Sequence, residues 1–399
     1  MTENNAKLPP ALEKTKERRK RTLFRTYDSV PQIGLFLGAG VTKTSGVPLY
    51  YKMTLELCQR AIKEKWLKSN TPPEAIEFLE EQAKRVEQNE DETAKGLASF
   101  QITPEEIALF LTQYLEDRTK LSPMLYKTLY KNIKKLKPKS RMISRETWKN
   151  NMTLNSVISF CAQLPAESKK PELNPKVGGI LTTNYDFIVE ASFNGKFRKE
   201  LMEPITKLGS PEFRKETKLL PVYHIHGYVS YNLPKKQQDY DTSSEYPQEV
   251  KALDLLIAEG DYFHRFYDPL GFSTFVALNF LNRFPCLFIG TSMKDRNIRR
   301  FLYHLEKERR EMVKKRKENK IVEPKHFAIL PTTGTSQDSF TDAILWSYGI
   351  STIWIKEFDE INTILKQLYC YPSNKKRDNK KVQNWNYEEW NNVYEYTWP

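Results

Sequence analysis

Short apolar runs punctuate the chain, most of them closed by glycine, threonine or asparagine: Ile33 to Leu37, Gly179 to Thr183, Leu219 to Ile225, Cys286 to Ile289, His326 to Leu330 and Ser351 to Ile355. Continuous apolarity over so few residues suits strands covered on both faces of a parallel sheet. Between them, apolar residues recur at helical spacing, which predicts helices at Leu49 to Leu67, Phe187 to Asn194, Phe272 to Arg283, Asp295 to Asn319 and Asp338 to Trp346. Strand and helix in alternation predict an α/β fold, a Rossmann-like doubly wound parallel sheet. From Ser69 to Glu172 the pattern turns helical, polar and broken by prolines, with amphipathic stretches near Pro73 to Asn89 and Pro104 to Tyr114. The expected organisation is an exposed basic N-terminal arm over 1–30, helical from Pro10 to Arg21, and the α/β domain over 31–68 and 173–370. An inserted helical module occupies 69–172 and an aromatic tail 371–399.

Composition narrows the class. With 399 residues, 39% hydrophobic and 12% aromatic, the chain can bury a sizeable core. No apolar run approaches the roughly 20 residues of a spanning helix, and no secretory signal opens the chain, so the expected location is the cytoplasm. Cys58, Cys161, Cys286 and Cys370 form no Cys-x-x-Cys pair, which predicts free buried thiols rather than a zinc site or disulfides. The net charge of +13 admits a nucleic-acid surface. No recognised reading motif accompanies it, and the helix after Lys294 reads as a packed stripe, Ile298, Leu302, Leu305 and Met312, with a solvated outer face.

Four segments carry candidate chemistry. Gly38, Ala39, Gly40 and Thr42 leave the first strand, followed by Ser45, Gly46, Val47 and Pro48. Glycines there let backbone amides approach a pyrophosphate, although such turns also serve where two backbones cross. Thr182, Thr183, Asn184, Tyr185 and Asp186 end another strand, where open parallel sheets present ligand residues; Asn184 or Asp186 could equally cap the next helix. His224 and His226 alternate along a strand, and nothing nearby completes a metal set with them. Gly290, Thr291 and Ser292 end a fourth strand, before Asp295 and Asn297; Asp295 could cap the helix that follows.

In this order the segments resemble the sirtuin family of NAD-consuming enzymes, whose patterns Gly-Ala-Gly-x-Ser-x-x-Ser-Gly-x-Pro, Thr-Gln-Asn-Ile-Asp, His-Gly and Gly-Thr-Ser they follow. Thr42 stands in place of the first serine. The resemblance implies that Asn184 holds the nicotinamide ribose and orients water, and that Tyr185 and Asp186 line the carboxamide pocket. His226, directly before Gly227, is the proton acceptor, and Gly290, Thr291 and Ser292 lie under the adenosine. NAD is then the substrate, with no metal.

Protein deacylases of the family carry two Cys-x-x-Cys pairs after His-Gly; here Tyr228 to Val250 contains no cysteine, and Leu49-Tyr50-Tyr51-Lys52 replaces their Phe-Arg pair. The chain is closer to the sirtuin-like NAD hydrolases of bacterial anti-phage systems, including subunits paired with a HerA-like hexameric ATPase. That implies hydrolysis of NAD to nicotinamide and ADP-ribose, a homo-oligomer, and such an ATPase as partner. Two rivals remain: a sensor that binds NAD or ADP-ribose without turnover, and a DNA-acting subunit. Trp385, Trp390 and Trp398, with Tyr387, Tyr394 and Tyr396, crowd the last residues, which predicts a tail that packs either on its own domain or on a neighbour.

Overall fold

The computed structural model describes residues 9–88, 102–133, 145–163, 171–197, 202–205, 219–229, 255–258, 260–261, 268, 270–315, 323–371 and 390–395. Strands β1 (Ile33–Leu37), β4 (Val177–Thr182), β5 (Met202–Ile205), β6 (Leu220–His224), β7 (Cys286–Ile289), β8 (His326–Pro331) and β9 (Ile350–Ile355) form one parallel sheet. A two-stranded antiparallel ladder, β2 (Ala162–Gln163) and β3 (Glu172–Leu173), stands apart. The order β5-β6-β4-β1-β7-β8-β9 places β1 centrally, with β4 and β7 on either side in parallel register. Chain direction across the sheet reverses at β1, so the strand ends β1, β4, β6 and β7 border the crevice where such folds bind ligands.

Helices cover both faces. They are α1 (Pro10–Ser29), α2 (Tyr50–Lys63), α3 (Pro73–Gln88), α4 (Pro104–Tyr114), α5 (Leu121–Tyr130), α6 (Arg145–Lys149), α7 (Met152–Phe160), α8 (Ile188–Phe197), α9 (Phe272–Arg283), α10 (Arg296–Lys315), α11 (Ser336–Ser347) and α12 (Glu360–Tyr369). Alternation within β1 shows why the strand is apolar throughout: Leu35 and Leu37 face one core cluster, Phe36 the other. The first cluster joins the sheet to α2, α4, α5, α7, α8 and α12, so the helices between β1 and β4 share the sheet's own core. On the opposite face Phe36 stacks on Phe288 at 4.6 Å, and Val276, Phe280, Phe301 and Leu345 close over them.

Residues 10–29 correct the expectation of an exposed arm. Leu12, Leu23 and Tyr27 repeat at helical spacing and are buried, and Arg19 reaches the Asp342 carboxylate and the Thr352 carbonyl. A guanidinium buried with its carboxylate and further acceptors docks the helix, and Lys16 adds an ion pair to Glu360 at 2.7 Å. The final segment also folds back: Trp390 is 1% exposed, edge-on to Tyr369 and stacked on Tyr394. Beneath it lies Lys196, whose ammonium donates to Asn155 Oδ1, Ser159 Oγ and the Tyr394 carbonyl. Trp385, Tyr387, Tyr396 and Trp398 lie outside the described residues. The four cysteines are free and buried, and burial pushes the Cys58 thiol up to about 12. Among the described residues no helix is long and apolar enough to cross a membrane.

Candidate functional site

Each of the four segments begins where a strand ends, and their contacts close a circuit. The first and fourth are joined backbone to backbone: Gly38 N–H donates to the Ile289 carbonyl at 3.0 Å and Gly40 N–H to the Gly290 carbonyl at 2.8 Å. A Cβ on Gly40 would lie 2.8 Å from Gly290 O, and one on Gly290, at φ +68°, 2.6 Å from Val41 N. These glycines are therefore required by a loop crossing, and the Gly38 and Gly40 amides are already engaged. Two short 3-10 turns, Ala39–Val41 and Lys43–Ser45, lie between β1 and α2.

Thr42, wholly buried, joins the first segment to the second through its hydroxyl, which donates to Asp186 Oδ2 at 3.2 Å. Asp186 Oδ1 accepts from Ile188 N–H, so this carboxylate also caps the start of α8. Burial pushes the Asp186 carboxyl up to about 6, with the Glu190 charge adding to the rise; the Ile188 amide, His224 and Thr42 oppose it. Asn184 is buried, its amide N–H held by Thr182 Oγ1 at 3.0 Å. Thr183 is half-buried beside it. Tyr185 donates its hydroxyl to the Leu256 carbonyl and sets its ring 6.3 Å from that of His226.

The two histidines are separated by their surroundings. His224, 1% exposed, places Nε2 2.6 Å from Glu190 Oε1 and donates from Nδ1 to the Asn184 carbonyl at 2.9 Å. Burial would lower its pKa, but Glu190, the Asn184 carbonyl and Asp186 together hold it above the usual imidazole value, which favours an imidazolium locked between carboxylate and carbonyl. His226 lies 3.5 Å from Asp295 Oδ2; burial carries its pKa below the usual value despite that carboxylate. Burial thus favours the neutral form of the His226 imidazole, whereas both ring nitrogens of His224 are held by hydrogen-bond partners. Asp295 fulfils the capping role too, its Oδ1 accepting from Asn297 N–H at 2.8 Å and Ile298 N–H at 3.1 Å.

Asn184, Tyr185, Asp186, Thr42 and His226 are brought together in this way. Thr291 is half-buried, its hydroxyl accepting from Met293 N–H, and Ser292 is exposed at the rim. Ala39 lies in the turn at the loop crossing; Asn297 is the second residue of α10. Ser45 turns elsewhere: its hydroxyl donates to the Thr147 carbonyl and accepts from Asn151. Pro48 precedes α2 on the same side. Sequence reasoning missed Glu190, Asp295 as a partner of His226, and Asn151, whose side-chain amide also donates to the Val41 carbonyl at 2.8 Å. Asn151 carried a signal, since an asparagine directly before a helical run is a preferred N-cap, and it does cap α7 through Leu154 N–H. Glu190 carried none, because its partner is 34 residues away. Among the described residues no group of three or more His, Cys, Asp or Glu is arranged to hold a metal ion.

Residues 178–353 match the family model described as SIR2-like domain. The matched stretch runs from β4 into β9 and contains Asn184, Asp186, His226 and the Gly290 turn, while the Gly38 to Pro48 segment lies before it. No curated protein matches the chain. Residues 178–353 are thus similar to a SIR2-like domain, and the parallel sheet to which they contribute β6, β7 and β8 is of Rossmann type.

Proposed function

We propose that the protein hydrolyses NAD to nicotinamide and ADP-ribose. The observation that carries this reading is the pair Asn184 and His226, buried at adjacent strand ends, with a neutral imidazole beside the Asp295 carboxylate. The bond to be broken joins the ribose to a cationic pyridinium, so nicotinamide leaves as a neutral molecule and needs no proton. What the reaction does need is an acceptor for the proton lost by attacking water. His226 supplies it, directly or through a ribose hydroxyl, and the Asn184 amide holds the water and ribose against the face that nicotinamide vacates. The developing oxocarbenium charge is met by Asp186 and by the substrate's own phosphates.

With the Gly38 and Gly40 amides committed to the loop crossing, the pyrophosphate is assigned to Ala39, Thr291 and Ser292. The absence of cysteine from Tyr228 to Val250, directly after His226-Gly227, speaks for water rather than an acyl-lysine as nucleophile. A sensor without turnover would have no use for a proton acceptor at this place. We attach the reaction to NAD depletion in bacterial anti-phage defence, as an oligomer acting with a HerA-like ATPase; this rests on the resemblance in the sequence. An etheno-adenine NAD analogue, whose emission rises when nicotinamide is released, separates the readings. Rising fluorescence supports hydrolysis, whereas binding with constant emission supports the sensor.

A further inference from the structure

Among the described helices, α10 carries the largest excess of positive charge, eight arginines and lysines against three glutamates. Ile298, Phe301, Leu302 and Glu306 turn inward, and Glu306 takes both Arg309 and Arg310 as ion-pair partners. On the outer side Arg296, Arg300, Tyr303, Lys307, Arg310 and Lys314 succeed one another at steps of four or three residues, the spacing of one straight stripe. At about 1.5 Å per residue this stripe is roughly 27 Å long. It forms one wall of an open groove of about 870 Å3 that Glu306 and Glu311 also line, and whose other wall is Ser347 and Tyr348 at the end of α11. Tyr303 is 49% exposed in the groove, 6.4 Å from the Tyr348 ring and edge-on to it.

We propose that this groove binds a single strand of nucleic acid. A row of arginines and lysines matches a chain of phosphates, arginine through its planar fork. Exposed aromatic rings within a cationic channel give bases a surface to stack on, the combination by which single strands are held without sequence preference. An acidic peptide would satisfy the cations but gives the two tyrosines no such use. The groove starts one residue after Asp295, so a bound strand ends at the rim of the candidate site, although the proposal does not depend on what that site does.

Fluorescence anisotropy of the full chain with labelled oligothymidylate tests it. Four to six phosphate contacts predict a log–log salt slope of about −3 to −4, at roughly −0.7 for each phosphate neutralised on a single strand. The double variant Lys307→Glu/Lys314→Glu, both exposed positions, should bind at least tenfold more weakly with an unchanged circular dichroism spectrum and unchanged NAD cleavage. Tyr303→Ala should lose roughly five- to tenfold with the same salt slope, since stacking carries no charge. No binding at low salt, or undiminished binding by the double variant, overturns the proposal. So does equal affinity for a duplex of the same length or for polyglutamate.

Discussion

Asp186 shows how burial divides one carboxylate between stability and chemistry. Its folded pKa, about 6, stands above the 3.8 of an ordinary aspartate. The folded state therefore holds the proton more tightly, and the stability this confers declines as pH rises from about 4 to 6, leaving an ionised carboxylate buried at neutrality at a cost. Asp186→Asn keeps an acceptor for Ile188 N–H and removes the charge. It should raise the melting temperature at pH 7.5, with the gain shrinking as pH falls from about 6 to about 4, while NAD cleavage falls; thermal scans showing an equal or lower midpoint at pH 7.5 would refute it. His224 has linkage of the same sign: its raised pKa contributes stability present in full below the unfolded value and lost as pH climbs through the folded one. Glu190→Gln removes the main charge sustaining that rise, so the alkaline limb of the pH–rate profile should move to lower pH. An unmoved limb would separate the pair from the Asn184 loop.

At the scale of elements, the apolar runs revealed β1, β4, β6, β7, β8 and β9 because a strand buried on both faces has no polar positions to interrupt it. β5 was hidden: at the sheet edge it tolerates Glu203 and Pro204, which break the run. α12 was overlooked although Ile361, Ile364, Leu365 and Leu368 have helical spacing. The order of the site segments was readable as well, since strand ends attract ligand residues. Their mutual contacts were not, because Thr42 meets Asp186 across 144 residues and His224 meets Glu190 across 34. Two loops depend on a crossing that a side chain would obstruct. Gly290→Ala should therefore unfold at lower denaturant, by about 1–3 kcal/mol, and lose NAD cleavage, because Val41 N stands 2.6 Å from the added Cβ and the left-handed backbone is disfavoured. Wild-type chemical denaturation in this variant would show that the loops can separate freely.

For the whole molecule, the C-terminal segment closes the fold. Its aromatic residues suggested either an intrachain or an intersubunit anchor, and for 390–395 the structure gives the first: Trp390 is buried against Tyr369, and the Tyr394 carbonyl accepts from the buried Lys196 ammonium. Burial lowers the Lys196 pKa well below its usual value, so Asn155, Ser159 and this carbonyl are needed to keep it satisfied. Trp390→Ala should cost about 3–5 kcal/mol in urea denaturation at unchanged native mass; a loss under 1 kcal/mol would mean that the tail is dispensable to the subunit. The central claim is that Asn184 and His226 cleave NAD with water. Its most direct measurement is chromatography of NAD incubated with the protein and with Asn184→Ala and His226→Ala. The account predicts equimolar nicotinamide and ADP-ribose from the parent, and a fall of roughly 100-fold or more in each variant. Intact NAD under every condition, or nicotinamide release that survives both substitutions, would contradict it.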